Sequence, residues 1–484
     1  MRRGTSGQGR LLIAALLLSL LLPAPSALAD AEGDPDALIE TALKPWTGDL
    51  AGIKKRGFLR MAIPHNPLFL AYDGEARIGV AAEIERELEA YLRKKLKQRI
   101  DVILMPLARD RLLPAVVEGQ ADIAAANLTI TPERADSVAF SKPTRKGVAE
   151  IIVSGPAAGD IASFDDLAEV GLHLRRSSSY YGHVQALNAA REAEGKRAIP
   201  LVEVDEVLED YDLLEMVQAG IIEAIPVDDH KAALWAQVFD RTVLHGGLVL
   251  AEGRQIAWAL RKESPELMTL INGFVATIRK GSLLGNILDK RYLQSSDWVE
   301  RVDSREARAR ALEVAALIRD YAGQYDFDWI MILAQGFQES GLDQSKRSPA
   351  GAIGIMQLLP TTARDPNVAI PDITKAENNV HAGVKYLRFL RDRYFSGEEI
   401  APLDRVLFSF AAYNAGPGNL ARARKRAGKM GLNPDVWFGN VEIAAGKAIS
   451  REPVIYVRNI FKYSVAYALS TEIAESRRAI FSSQ

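Results

Sequence analysis

Glu339 and Ser340 close a segment in which Ile330, Leu333, Ala334 and Phe337 fall at offsets of three, four and seven, the spacing of a helix with one buried face. A carboxyl near the C-terminal end of such a helix is pushed toward its protonated form by partial burial and by the negative end of the helix dipole. An acid that protonates a leaving-group oxygen near neutral pH needs that shift. Gly341 and Pro349 bracket a turn, and Gly351 and Gly354 let backbone approach a ligand closely. Gln357 in Gly354-Ile355-Met356-Gln357 and Asn414 in Ala412-Tyr413-Asn414-Ala415-Gly416 offer paired donors and acceptors suited to sugar hydroxyls and acetamido groups. Tyr413 and Tyr456 add ring faces tipped with a hydroxyl, although their Ala, Val and Ile neighbours suit packing as well, and Met356 has the character of core filler. Singly these features are bland: a Glu at a helix end is usually solvated, and Tyr-Asn-Ala-Gly is usually a C-cap. The ordered set points to an acid in a sugar-binding groove.

The rest of the chain bounds what can hold these residues. Arg2 and Arg3 precede an apolar run from Leu11 to Leu22, followed by Pro23, Pro25 and Ala27-Leu28-Ala29, the layout of a cleavable secretory signal over 1–29. The run is too short to span a bilayer comfortably. No cysteine is present, which excludes disulfides, thiolate chemistry and a lipid-modified cysteine. The six histidines never show helical ligand spacing, so neither a metal nor another cofactor is expected. The formal net charge is −2, and removing Arg2, Arg3 and Arg10 with the signal makes it three units more negative, so nucleic acid is a poor partner. The basic stretch Ala421 to Lys429 reads as a solvated helix face.

From Phe58 onward, short apolar runs alternate with amphipathic ones: Leu59 to Pro64 as strand, Glu83 to Lys97 as helix, Ile100 to Met105 as strand, Asp110 to Glu118 as helix, Ile123 to Leu128 as strand. Such alternation predicts a parallel α/β sheet, with ligand at the carboxyl ends of its strands. The expected layout is a linker over 30–52, a first module over 53–297, a short polar junction over 298–304 and a mainly helical module over 305–484.

Two resemblances sharpen this layout. Glu339-Ser340, Gly354 to Gln357 and Ala412 to Gly416 resemble the soluble lytic transglycosylase family, whose catalytic domain is lysozyme-like. That family's Glu-Thr-x-x-Tyr-Val stands here as Glu452-Pro453-Val454-Ile455-Tyr456-Val457, without the threonine. The resemblance implies cleavage of the N-acetylmuramic acid to N-acetylglucosamine bond of peptidoglycan glycan strands. Glu339 would act as acid and then base, and the muramic acid's own hydroxyl would close a 1,6-anhydro ring. It further implies substrate contacts from Ser340, Ser348, Met356, Gln357, Tyr413, Asn414, Glu452 and Tyr456. For Ser348 a turn-capping hydroxyl beside Pro349 is an equal alternative. Most glycosidases need two carboxyl groups, and no second one stands out in these motifs.

Gly119-Gln120-Ala121-Asp122-Ile123, Thr129 to Arg134 and Phe140-Ser141 resemble the family-3 extracellular solute-binding proteins, two-lobed amino-acid receptors. That resemblance implies that Arg134 clamps a ligand carboxylate, as a guanidinium fork does well. Thr129 would assist it, Asp228 would face the ligand's ammonium, and Ser178, Ser179 and Phe69 would line the site. An ion pair of Arg134 with Glu133 or Asp136, and a helix N-cap at Asp228, are the alternatives. His65, Asn66 and Pro67 depart from the family's first ligand loop, so a small amino acid and a peptide both stay open as ligand.

The expected fold is therefore an α/β two-lobed periplasmic binding protein module followed by a mainly α lysozyme-like domain. Its order resembles the membrane-bound lytic transglycosylase F group. The protein is expected to be exported and periplasmic, and without a lipid-attachment cysteine any contact with the outer membrane or the wider envelope membrane would be peripheral. Two other readings stay open: a goose-type lysozyme-like hydrolase, and a non-catalytic solute- or glycan-binding sensor.

Overall fold

The computed structural model describes residues 44–73, 76–302 and 305–482. The expected signal, residues 30–43 and residues 303–304 of the junction lie outside these. The front module is built on a seven-stranded sheet in the order Ala224–Asp228, Arg145–Ser154, Val243–Leu260, Ile123–Thr129, Phe58–Pro64, Asp101–Leu107, with Ala139–Phe140 paired beside the 18-residue strand Val243–Leu260. Phe58–Pro64 pairs in parallel with Asp101–Leu107 and with Ile123–Thr129, as the alternating pattern predicts. The other half of the sheet is antiparallel, which differs from the expected parallel sheet. The chain leaves along Arg145–Ser154 and returns along Val243–Leu260, and a paired outgoing and returning strand must run in opposite directions. A second lobe with its own apolar cluster, including Ile152, Leu167, Leu172, Leu174 and Val184, lies beyond that pair.

Asp122 anchors the first lobe. It is fully buried and meets three arginines: Arg56, Arg60 (3.3 Å) and Arg261 (3.6 Å). Its Oδ2 also accepts from the Arg60 backbone N–H at 2.7 Å. The arginines donate onward to carbonyls, Arg261 to Ala121 (2.7 Å) and Val116 (3.1 Å), and Arg60 to Gly119 (2.5 Å). The Gly119 to Ile123 motif is thus the hub of a buried charge network in which every cation has an acceptor.

The junction is folded. Asp297–Val302 is helical, and Trp298 is buried edge-on against Trp235 (5.9 Å between centroids) and Tyr292 (6.1 Å). Beyond it the named elements among the described residues are all helices, with two isolated bridges, Arg347 to Ile353 and Ile353 to Leu358, in the loop after the helix Trp329–Ser340, and the core is continuous with that of the first lobe.

The central element is Trp329–Ser340, capped at its start by the Asp328 side chain, which accepts from the Ile330 N–H at 2.8 Å. Gly341 stops it in the left-handed region at φ 69°. Nine of its twelve side chains are buried, so it is a core helix rather than a surface one. The long helix Glu452–Ser482 packs along it, with Phe337 edge-on to Tyr463 (5.3 Å) and Tyr467 (6.1 Å).

That same long helix clasps the front module. Arg458 bridges Glu442 (2.9 Å) and Asp101 (2.5 Å), while Lys462 pairs with Glu85 and with Glu89 (2.6 Å). Arg477 reaches Asp212 (3.0 Å) and the carbonyls of His65 and Val207, both at 2.8 Å. Pro453 sits in the helix's first turn, where a missing N–H has no intrahelical partner to lose, so proline in place of threonine leaves the helix intact. No helix among the described residues is long and apolar enough to cross a membrane.

Candidate active site

Glu339 occupies the last turn of the central helix. Its Oε1 accepts a 2.5 Å hydrogen bond from the hydroxyl of Tyr456, which is itself buried. Burial pushes the Glu339 carboxyl up to about 7, and this outweighs the Tyr456 hydrogen bond and the charge of Lys346, both of which pull it down. Of the two causes expected from sequence, burial and the helix end, burial is the one that raises it. Asp343, the next carboxylate along the chain, is folded into the turn, where it accepts from the backbone and the hydroxyl of Ser345, both at 2.7 Å. Among the described residues, the groups acting on the charge of Glu339 are a phenol and an ammonium, and no carboxylate is among them.

The predicted neighbours divide into packing residues and groove residues. Ser340 is fully buried, its one hydroxyl proton lies between the carbonyls of Ile355 (2.9 Å) and Gly336 (3.2 Å), and its oxygen accepts from the Asp343 N–H (3.1 Å). It holds the turn shut and cannot face a substrate, which corrects the expectation of a contact. Met356 is also fully buried, and its contact is corrected in the same way; its carbonyl accepts from the Tyr413 hydroxyl at 2.8 Å. Tyr413 therefore braces the loop with its polar tip while its ring lies 5.4 Å from that of Tyr386. Ser348 closes the turn by accepting from the Ala352 N–H at 3.0 Å, the capping alternative, and its own hydroxyl proton is left to donate. Gln357 stands at φ 43°, a strained conformation for a residue with a side chain, and donates to Gly354 at 2.9 Å. Asn414 is half-buried with no side-chain partner among the described residues. Glu452 is exposed at the start of the long helix. Gln335, which sequence reasoning passed over, donates to the Tyr456 hydroxyl at 3.1 Å. Its signal was a lone amide at a buried helical position one turn before the acid.

A second polar site lies in the front module, a small cleft lined by Arg109, Thr129, Arg134, Ser178, Ser179 and Asp228 among others. Arg134 donates to the carbonyls of Thr129 (3.0 Å) and Ser177 (2.8 Å) and so ties the two lobes together. It has no ion-pair partner among the described residues, neither Glu133 nor Asp136. Burial and the neighbouring charge of Arg109 pull its pKa below the ordinary arginine value, an environment that favours an incoming anion. The other cations are matched: Arg109 to Glu209 (2.7 Å), Arg175 to Asp210, and Lys231 to Asp210 (2.6 Å) and Asp228 (2.8 Å).

Asp228 is at an N-cap position but makes no cap bond; its carboxylate is engaged by Lys231, and its Oδ1 is buried with no partner. Burial acts to discharge Lys231, but Asp210 and Asp228 outweigh it and hold its pKa above the usual lysine value. Ser178 and Ser179 line the cavity while bonded to the Arg175 carbonyl (2.7 Å) and to Glu150 (3.1 Å). Phe69 is packed in the first lobe's core and is not among the lining residues. No cluster of three or more potential metal-ligating side chains occurs among the described residues.

Fold and site together define a modular protein with a two-lobed solute-binding module in front of a helical domain in which the half-buried Glu339 has a carboxyl pushed up to about 7. The transglycosylase SLT domain family matches residues 316–435, and the bacterial extracellular solute-binding proteins, family 3, match residues 59–294. The membrane-bound lytic murein transglycosylase F of Maricaulis maris (strain MCS10) is 30% identical over 385 residues, 74% of this chain and 79% of that one. The protein of the same name from Pseudomonas fluorescens (strain Pf0-1) is 27% identical over 441 residues, 87% of this chain and 86% of that one. Among solved structures, a mutant of ArgBP from T. maritima is similar at 21% identity and a TM-score of 0.41, covering 51% of this chain and 99% of that one. The chain belongs to the membrane-bound lytic murein transglycosylase F family.

Proposed function

We propose that the protein is an exported peptidoglycan lytic transglycosylase in which Glu339 alone serves as acid and then as base. The observation that carries this reading is the half-buried Glu339 carboxyl, held near 7 with Tyr456 on one oxygen and no carboxylate partner among the described residues. Such a group is protonated often enough at neutral pH to give its proton to the glycosidic oxygen, and as a carboxylate it can take one from the attacking muramyl hydroxyl. With no carboxylate among the described groups that act on Glu339, an internal nucleophile is favoured over hydrolysis. Ser348, Gln357 and Asn414 are the residues assigned to the sugar, with Tyr413 and Glu452 at the edges of the site. The enzyme works in the cell envelope, in the periplasm after removal of residues 1–29, and its membrane contact is peripheral.

The decisive experiment is mass spectrometry of the soluble products from purified peptidoglycan. Anhydro-muropeptides are expected. Products heavier by one water, with reducing ends, would identify a goose-type hydrolase, and no product would leave a binding protein.

The front module, residues 53–297, takes a small carboxylate-bearing ligand, an amino acid or a peptide, on Arg134. Lys231 already neutralises Asp228, so a ligand with an uncharged α-nitrogen, as in a peptide bond, meets less repulsion there than a free amino acid. Calorimetric titration of Lys231→Met is expected to raise affinity for free amino acids by about tenfold or more, the size of one like charge removed at short range. An unchanged affinity would show that the ligand's ammonium never approaches Lys231.

A further inference from the structure

Gln335 is fully buried on the helix that carries Glu339, exactly one turn earlier, in a stretch whose other inward residues include Ile332, Leu333, Ala334 and Phe337. An amide placed there needs a reason, because its Oε1 is buried with no hydrogen-bond partner, a penalty of about 1–3 kcal/mol that an apolar side chain would avoid. The reason lies at its other end. Nε2 donates to the Tyr456 hydroxyl at 3.1 Å, and that hydroxyl is 2.5 Å from Oε1 of Glu339.

A tyrosine hydroxyl has one proton. With an amide N–H filling its acceptor side, that proton points at Glu339, so Oε1 is held as an acceptor. If Gln335 were apolar, the tyrosine oxygen would be open to a proton from Glu339 itself. The acid could then turn its proton inward, away from a glycosidic oxygen. A chain of two bonds pointing the same way also strengthens the second one, here the bond onto the carboxylate.

We propose that Gln335 is a positioning residue for the acid: it orients the Tyr456 proton onto Oε1 of Glu339 and leaves Oε2 as the oxygen that carries and delivers the catalytic proton. The inference rests on the reading of Glu339 as acid and base. In the cleavage step the Oε2 proton passes to the glycosidic oxygen, which keeps the electron pair of the broken C–O bond. In the closing step the muramyl hydroxyl bonds to the anomeric carbon and returns its proton to Oε2. Throughout both steps Tyr456 stays a donor to Oε1, and no proton is gained or lost overall.

The test is a double-mutant cycle of Gln335→Met and Tyr456→Phe in the full chain, following the rate of anhydro-muropeptide release against pH. Gln335→Met is expected to lower the rate about tenfold and to move the alkaline limb to higher pH, because the carboxylate loses support. In the Tyr456→Phe background the same substitution is expected to leave the limb where Tyr456→Phe alone puts it, since Gln335 acts through the tyrosine. Should Gln335→Met fail to fold, Gln335→Leu and the Tyr456→Phe profile supply the same comparison. A limb that does not move in Gln335→Met, or that moves equally with and without Tyr456, overturns the inference. Glu339→Gln separates the two levels: activity surviving that change defeats the assignment of the acid, whereas an inactive Glu339→Gln beside a parent-like Gln335→Met defeats only the role of Gln335.

Discussion

In Glu339→Gln, release of 1,6-anhydro products is expected to fall by about a thousandfold, the size of a general acid–base contribution, while binding of glycan fragments persists. Glutamine keeps the shape and still accepts from Tyr456, but it has no proton to give. Activity of the parent is expected to fall as pH rises through about 7, because on this reading the protonated carboxyl is the working form. Stability follows the same titration. The folded chain holds the Glu339 proton more tightly than the unfolded chain, whose carboxyl titrates near 4.5, so folding loses free energy as pH rises from there and the loss is complete above about 7. Glu339→Gln is therefore expected to be more stable than the parent at alkaline pH, on the order of 2 kcal/mol, and to lose that advantage below the ordinary carboxyl range. Denaturant unfolding at the two pH extremes checks both halves, and equal stabilities throughout would mean that the carboxyl is solvated.

The second large effect is expected far from the chemistry. Asp122→Ala leaves Arg56, Arg60 and Arg261 buried around a missing anion, and removing one partner of such a network destabilises by about 3–5 kcal/mol. Thermal unfolding followed by tryptophan fluorescence should show the front module melting first, since Trp46 lies over Arg56 and near Arg261. Arg261→Met added to Asp122→Ala is expected to recover part of the loss by removing a stranded charge. If the single variant melts with the parent, the arginines find solvent or other acceptors, and the network is not what holds Gly119 to Ile123 in place.

These two cases show what local sequence can encode. The place of Glu339 was legible because the apolar positions from Ile330 to Phe337 phase the helix and put the carboxyl at its end. Ser340 and Met356 were misassigned for a physical reason: each is adjacent to a site residue in sequence but points into the core, and the partner that settles the serine, the Ile355 carbonyl, lies 15 residues away. Phe69 failed similarly, as a ring equally suited to a ligand wall or a core. In the front module, Arg134 and Asp228 could be placed from their motifs, but the pairing of Asp228 with Lys231 depends on the helix that begins at Asp229. The mixed sheet escaped prediction because strand direction is set by the path between lobes, whereas alternation of strands and helices reports only the local pattern.

Tyr456 lies 117 residues beyond Glu339, on the helix that clasps the front module. A ribosome therefore delivers the acid long before it delivers the partner that encloses and orients it. Until that helix emerges and folds back, Glu339 lacks the Tyr456 hydroxyl on its carboxyl and the helix that packs along its own. On the reading of Glu339 as the acid, synthesis order withholds the completed site from any chain that lacks this helix.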